Sequence, residues 1–530
     1  MSLIPTLNVE KSPSASPSSR KLVVFSGGSA ANNLVDVFND VIERNSSSLT
    51  YVIPISDNGG SSSELIRVFG GPGIGDIRSQ YFFLLFLLGH LGAFSKAFLF
   101  RLTDGRRSRQ PHVTSYGMSS FQRPFFCVLI DSRIHLNRHN FAGRLVRLIP
   151  PTHAPIRTLF NHRLPSSPSL AQSEFFTLLL GTSPLWTPIP TAQAFLIRSI
   201  LSHLHLEILK RARPPTSTFN FESASIGNLF LTGARLFSGS FESAIYLLAI
   251  MGGVDESRTA VLPAIVSNFT HHISAGLADG STITGQNAIS HPTEPTALNT
   301  PNATTPHPEP SDPQEEDANP PSTLPTLRGA AIAFSKAHEA SPPLPARIER
   351  IWYISPYGHE MRPQPNSRVL SALHAAEAVI YSIGSLYTSI IPSLILRGVG
   401  DTIAKTRCKI LLLNGSLDRE TDGFCASDFV AAVVRAGEES RGGFEAGDGL
   451  LEEGTVRRYV THLIHLEGEG VPVVDREVLA GWGVECVRLY GRKGEDGGMR
   501  YDGKALGQAL GVILGKREPG VRSRRNTLEG

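Results

Sequence analysis

The chain is poor in cysteine. Its four copies, Cys127, Cys408, Cys425 and Cys486, are far apart and form no CxxC or Cys/His cluster. That spacing excludes a disulfide framework and a zinc finger, and points to a reducing, cytoplasmic compartment. Long apolar runs are also missing. Tyr81–Leu88 is strongly apolar, but His90 and Lys96 end it well short of the ~20 residues a membrane span needs. Residues 1–20, MSLIPTLNVEKSPSASPSSR, have no apolar core, so they read as a disordered Ser/Pro tail and not as a signal peptide. Net charge is small, at +3, and the excess is local. Residues 80–143 hold eight Lys/Arg and two Asp/Glu, which leaves 42 basic against 45 acidic residues elsewhere. The rest of the chain therefore lacks the basic footprint of a nucleic-acid binder. No internal repeat is present. No Ser/His/Asp triad and no trusted metal spacing emerge from the scattered histidines.

What the chain has is a repeated device. Lys21–Phe25 (KLVVF) runs into Ser26-Gly27-Gly28-Ser29, and Tyr51–Ile55 (YVIPI) runs into Asp57-Asn58-Gly59-Gly60-Ser61-Ser62-Ser63. An apolar β-branched run that ends in small residues and reopens as a helix is how open parallel sheets build ligand sites. Glycine lets backbone N–H groups approach a phosphate, and the helix N-terminus that follows adds positive partial charge. The pair of turns therefore predicts an anionic ligand at the carboxyl edge of a parallel sheet. Asp57 stands where a carboxylate holds a metal or a sugar hydroxyl, or caps a helix.

Further along, Ile348–Ile354, Ala378–Ile383, Lys409–Asn414, Val460–Leu466 and Val484–Tyr490 read as short buried strands. Phe219–Leu236, Glu242–Met251, Ser367–Ala376 and Ser427–Ala436 read as helices. The alternation predicts an α/β fold: a doubly wound, mostly parallel Rossmann-like sheet, in one large domain with disordered excursions. The core divides into residues 21–79 with 144–290, and residues 346–515. Residues 516–530 form a tail. Pro292–Pro325 carries ten prolines in 34 residues and anchors a disordered loop over 291–345. Gly437–Gly454 is a weaker break. Residues 80–143 hold ten of the 27 phenylalanines without a period of 2 or 3.6, and read as an aberrant insertion.

Four other blocks carry chemistry. Gly71–Arg78 is a glycine-dense loop with Asp76 and Arg78; Arg78 suits a bidentate phosphate contact or a pair with Asp76. Ser225 and Asn228 open an apolar helix, as caps or as ligand contacts. Ser385, Tyr387 and Thr388 follow a strand directly and offer neutral donors to a phosphate or sugar. Glu420-Thr421-Asp422 closes the pocket or lies in a solvated loop.

Together these blocks resemble the family of 2-phospho-L-lactate transferases and the related bacterial gluconeogenesis factors. The matching pieces are the turn at Gly27-Gly28, DxGGSS at Asp57–Ser62, GDIR at Gly75–Arg78 and SxGNL at Ser225–Leu229, followed by GSLYTSIIP at Gly384–Pro392 and ETDGFxASD at Glu420–Asp428. The resemblance implies a Rossmann-like core that binds a nucleotide-diphosphate-linked small molecule, with neither nucleic acid nor membrane as partner, and it leaves a homo-oligomer open. The GGSS and ETDGFxASD blocks are similar to the gluconeogenesis-factor branch, which implies a UDP-sugar-like ligand and a regulatory role. The ligand-binding set is then Gly27, Gly28, Ser29, Gly59, Gly60, Ser61, Ser62, Arg78, Ser225, Asn228, Ser385, Tyr387 and Thr388. The transferase branch implies instead a metal-dependent phospholactyl transfer, with Mg²⁺ held by Asp57 and Asp76. An interaction protein with a degenerate site is the third alternative. Catalysis stays open at this point.

The chain departs from the family pattern at several places. Asn58 stands where the family has a second acid, which lowers the charge available to a metal. Ser382-Ile383-Gly384 replaces Gly-Pro-Gly. Ser416–Thr421 replaces MTQxGET. The GDIR block, which the family runs straight into an RLxxL helix, is separated here from Arg144-Leu145-Val146-Arg147-Leu148; joining Ser79 to Arg144 restores the pattern.

Overall fold

The computed structural model describes residues 20–27, 30–56, 61–74, 144–212, 214, 218–290, 324, 327, 342–442, 451–494 and 497–515. The expected tails, the insertion at 80–143 and nearly all of the Pro-rich loop lie outside the described residues.

In chain order the strands are β1 (Lys21–Phe25), β2 (Ser48–Ile53), β3 (Thr259–Pro263), β4 (His272–Leu277), β5 (Thr282–Thr284), β6 (Ile348–Ile354), β7 (Glu360–Met361), β8 (Ala378–Tyr381), β9 (Cys408–Leu412), β10 (His462–His465), β11 (Glu485–Arg488), β12 (Gly491–Lys493) and β13 (Met499–Tyr501). Seven of them form one sheet in the order β11-β10-β9-β8-β1-β2-β3, with every pairing parallel. A central parallel strand is covered on both faces and so reads as a continuous apolar run. Lys21–Phe25 and Ala378–Tyr381 fit that requirement: from Leu22 onward every residue of β1 is buried, as is all of β8. Phe25 and Tyr381 stack across the two strands at 5.8 Å, and the Tyr381 hydroxyl donates to the Tyr459 carbonyl.

The order of the sheet decides where a ligand goes. From β1 the chain builds outward through β2 and β3, then returns to the other side of β1 as β8, β9, β10 and β11. The reversal falls between β1 and β8, and crevices open outside the carboxyl ends of strands at such a point.

Between β2 and β3 the chain forms a helical block that includes Ala154–Asn161, Pro168–Leu180, Thr191–Arg211, Ile226–Ser238 and Phe241–Gly252. One expected helix there starts late. Phe219 and Phe221 precede it, Phe219 packing at a tilt against Phe69 at 6.2 Å and Phe221 stacking on Phe175 at 4.6 Å, and the helix begins at Ile226.

The sheet is not the whole β structure. β4 to β7 form a separate antiparallel sheet in the order β5-β4-β6-β7, so Ile348–Ile354 is not a strand of the parallel sheet as the alternation suggested. Nor does Gly437 break the chain: the helix Ala426–Ser440 runs through it. A Cβ at Gly437 would lie 2.3 Å from the Tyr459 ring, so glycine serves close packing there.

Candidate functional site

Three loops meet at the carboxyl edge beside the reversal point. The first follows β1. A Cβ on Gly27 would lie 2.8 Å from Ser389 Cβ, so only glycine permits this approach to the segment after β8. The second loop follows β8. Gly384 has φ of +146°, a conformation that side chains disfavour, and a Cβ there would sit 3.1 Å from the Gly27 carbonyl. The third follows β9. The Asn414 amide clasps Gly384 on both sides, donating Nδ2 to its carbonyl at 2.9 Å and accepting its N–H at 3.0 Å.

Beyond Gly384 the backbone enters a π-helical turn, Leu386–Ile390, and a buried acid organises it. Glu420 is 2% exposed. Its Oε2 accepts the N–H groups of Tyr387 at 2.8 Å and Thr388 at 3.1 Å, while Oε1 accepts the Thr388 hydroxyl at 2.6 Å. Burial, and then the neighbouring Asp418 charge, push the Glu420 carboxyl up to about 8. Asp418 starts the turn that carries Glu420: its carboxylate accepts the Thr421 hydroxyl at 2.7 Å and the Glu420 N–H at 3.2 Å. Burial raises the Asp418 pKa, and hydrogen bonds from Thr421 and Ser385 oppose the rise. A cleft of about 380 Å³ opens here, lined by Ser290, Ser385, Asp418, Arg419, Glu420 and Asp422 among others. Arg419 is its frame, donating to the carbonyls of Ala288 at 2.6 Å and Pro342 at 2.7 Å.

Two buried hydroxyls that follow parallel strands add to the picture. Among the described residues, the hydroxyls of Ser56, after β2, and Ser382, after β8, have no hydrogen-bond partner. Buried polar groups are nearly always satisfied, by protein or by ordered water.

The expected residues distribute as follows. Gly27, Ser385, Tyr387 and Thr388 come together at this edge. Within that group, the Tyr387 hydroxyl does not face a ligand: it donates to the Ile348 carbonyl of β6 at 3.0 Å. The Thr388 hydroxyl is likewise committed to Glu420, so this block contributes backbone shape, and Ser385 is its one hydroxyl on the cleft. Ser225 caps the helix Ile226–Ser238 by accepting the Asn228 N–H at 3.4 Å, and both side chains are buried. Ser61 opens the helix Ser61–Phe69, and Ser62 is buried in its first turn. Gly28, Ser29, Asp57, Gly59, Gly60, Asp76 and Arg78 lie outside the described residues. The loop leading toward Gly75 is positioned by Arg235, whose guanidinium donates to the Gly70 carbonyl at 2.9 Å. Among the described residues no group of three His, Cys, Asp or Glu side chains is gathered to hold a metal ion.

Sequence reasoning missed Asp418 and underrated Glu420. The only signal was the position of the ETDGF block just after the strand that ends near Asn414.

Comparison with known proteins agrees with this architecture. The family model described as 2-phospho-L-lactate transferase CofD matches residues 22–488. An uncharacterized protein of Saccharomyces cerevisiae is 32% identical over 490 residues, covering 88% of this chain and 95% of the yeast protein. A gluconeogenesis factor from Halalkalibacterium halodurans is 23% identical over 293 residues, 54% of this chain and 69% of that protein. A putative gluconeogenesis factor from Clostridium acetobutylicum is 29% identical over 168 residues, 31% of this chain and 36% of its own length. The crystal structure of a Bacillus halodurans protein superposes with a TM-score of 0.50 at 17% identity, covering 93% of this chain and 99% of that one. At that identity the likeness speaks to fold alone. Among the described residues no helix is long and apolar enough to cross a membrane.

Proposed function

Because the chain belongs to the 2-phospho-L-lactate transferase CofD family, we propose that it binds a nucleotide-diphosphate-linked metabolite of the UDP-sugar kind, as a regulator similar to the gluconeogenesis factors. The ligand's pyrophosphate lies over the Gly27 turn and the glycine turn at 59–62, with Arg78 closing on it. The distal group occupies the cleft beside Ser385 and Asp418. The observation that carries this reading is the contact of the β1 and β8 loops at the reversal point, where a Cβ on Gly384 would meet the Gly27 carbonyl at 3.1 Å. The Gly384 N–H is itself held by Asn414, so what the close-packed glycine backbone offers a ligand is room for close approach at the strand ends.

The name of the matching family favours a second reading, transfer of a phospholactyl group from a nucleotide-linked donor. On that reading Asp57 and Asp76, which both lie outside the described residues, hold Mg²⁺.

Isothermal titration with UDP-glucose, UDP-N-acetylglucosamine and GDP, each with and without Mg²⁺, separates the readings. Saturable binding of a UDP-sugar with no consumption of the donor supports the regulator. Magnesium-dependent transfer to a deazaflavin acceptor supports the transferase. No binding of any nucleotide leaves an interaction protein with a degenerate site.

A further inference from the structure

A second pocket lies apart from the cleft. Residues 352–353, 360–364, 395–397 and 439–442 converge to form it. The last of these close the helix Ala426–Ser440, and the loop that carries Glu420 leads into the start of the same helix. Its 15 residues span about 22 Å, so the pocket stands at the far end of that helix from the cleft. Its volume is about 240 Å³. Pockets for drug-sized ligands run from ~300 to 1,000 Å³, so the occupant here is smaller than a nucleotide-linked sugar.

The floor is apolar and the rim is basic. Trp352, Met361, Ile395 and Leu396 are buried or half-buried, whereas Arg362, Arg397 and Arg441 are exposed. The two acids of the pocket, Glu360 and Glu439, are already taken. Arg350 donates to Glu360 at 2.7 Å and to Glu439 at 2.7 Å, and lies 5.3 Å over the Trp352 ring. Arg441 donates to Asp401 at 2.8 Å and lies 3.4 Å from Glu438. The other two arginines are not matched in this way. Arg362 is 3.8 Å from Glu360 Oε1, an oxygen that Arg350 holds more closely. Arg397 has no acidic partner among the described residues. The helix end does not supply the missing negative charge. Its Glu439 carbonyl accepts the Gly442 N–H at 2.9 Å, and its Ser440 carbonyl accepts the Gly398 N–H at 3.2 Å.

The walls are fixed in place. The buried Ser440 hydroxyl donates to the Leu396 carbonyl at 2.5 Å and accepts the Gly400 N–H at 2.8 Å, tying the helix end to the segment that carries Arg397. A guanidinium fork binds phosphate oxygens two at a time, and a phosphomonoester has oxygens enough to serve two forks. A carboxylate, with two oxygens, satisfies one. The apolar floor suits a compact planar body. We propose that this pocket binds a small phosphomonoester, with its phosphate held by Arg362 and Arg397 and its body on the Trp352 floor. The site is separate from the nucleotide cleft, and its test does not depend on that reading.

Calorimetric titration of the full chain with phenyl phosphate at low salt is the test, with inorganic phosphate as the bare anion. Phenyl phosphate should bind saturably and at least tenfold more tightly than inorganic phosphate. Arg362→Gln/Arg397→Gln should weaken it at least tenfold with an unchanged melting temperature, since both side chains are exposed. Saturating UDP-glucose should leave the titration unchanged. Absence of saturable binding at millimolar phenyl phosphate overturns the proposal. So does equal affinity for the two probes, or binding that survives the double substitution. Displacement by UDP-glucose also overturns it, because it would put the probe in the nucleotide cleft.

Discussion

The carboxylate of Glu420 grips Thr388 twice, accepting its backbone N–H at 3.1 Å and its hydroxyl at 2.6 Å. Through this grip a residue from the loop after β9 sets the turn that follows β8. Glu420→Ala would leave two buried N–H groups and a hydroxyl without an acceptor, at roughly 1–3 kcal/mol each. The expected loss is about 3 kcal/mol or more, read by urea denaturation.

The same acid should make stability pH-dependent in a defined direction. Its pKa rises from 4.5 to about 8 on folding, through burial first and the Asp418 charge second. The folded chain therefore binds the proton more tightly than the unfolded chain. The stability this group contributes is complete below pH 4.5 and is lost as pH rises to 8. Glu420→Gln mimics the protonated acid and does not titrate. Denaturation of both proteins across this range should show the variant gaining on the wild type as pH rises. A flat or opposite difference would mean that the three donors hold Glu420 ionised throughout.

Gly384→Ala places a side chain at φ of +146° and against the Gly27 carbonyl. The cost should be about 1–3 kcal/mol of stability, read as a lowered melting temperature.

Asp57→Ala should weaken ligand binding with folding largely intact, since a turn at a strand end carries little of the core. A lost charged contact of ~1.5–3 kcal/mol corresponds to a ten- to hundredfold weaker Kd. Unchanged affinity returns Asp57 to a capping role.

Residues 80–143 carry the chain's positive excess and lie between the GDIR block and Arg144. Immediately after them comes a short helix, Arg144–Arg147, whose Leu145 and Val146 are buried in the core. Joining Ser79 to Arg144 should raise soluble yield and leave melting temperature and ligand affinity equal or better. Unfolding or loss of binding would make the segment part of the working protein.

Much of this fold was legible because parallel strands leave a local signature. Lys21–Phe25 is continuous and apolar, and the structure gives it those same bounds. The helices Pro168–Leu180 and Thr191–Arg211 escaped detection because apolar residues on all sides erase the 3.6-residue period. Ile348–Ile354 was legible as a strand but not as an antiparallel one, since partner choice is set by distant chain. The same holds at the site. The glycine turns announce themselves by composition, whereas burial of Glu420 depends on Tyr387 and Thr388, more than thirty residues away. A loop glutamate and a buried one look alike in sequence.

The central claim is that a nucleotide-linked anion binds where the β1, β8 and β9 loops meet. Asn414→Ala tests it, because Asn414 holds Gly384 through two hydrogen bonds without belonging to the cleft lining. Titration of wild type and variant with UDP-glucose should give saturable binding to the wild type and at least tenfold weaker binding to a variant that still melts cooperatively. Equal affinity in the two proteins would place the ligand elsewhere and contradict the account.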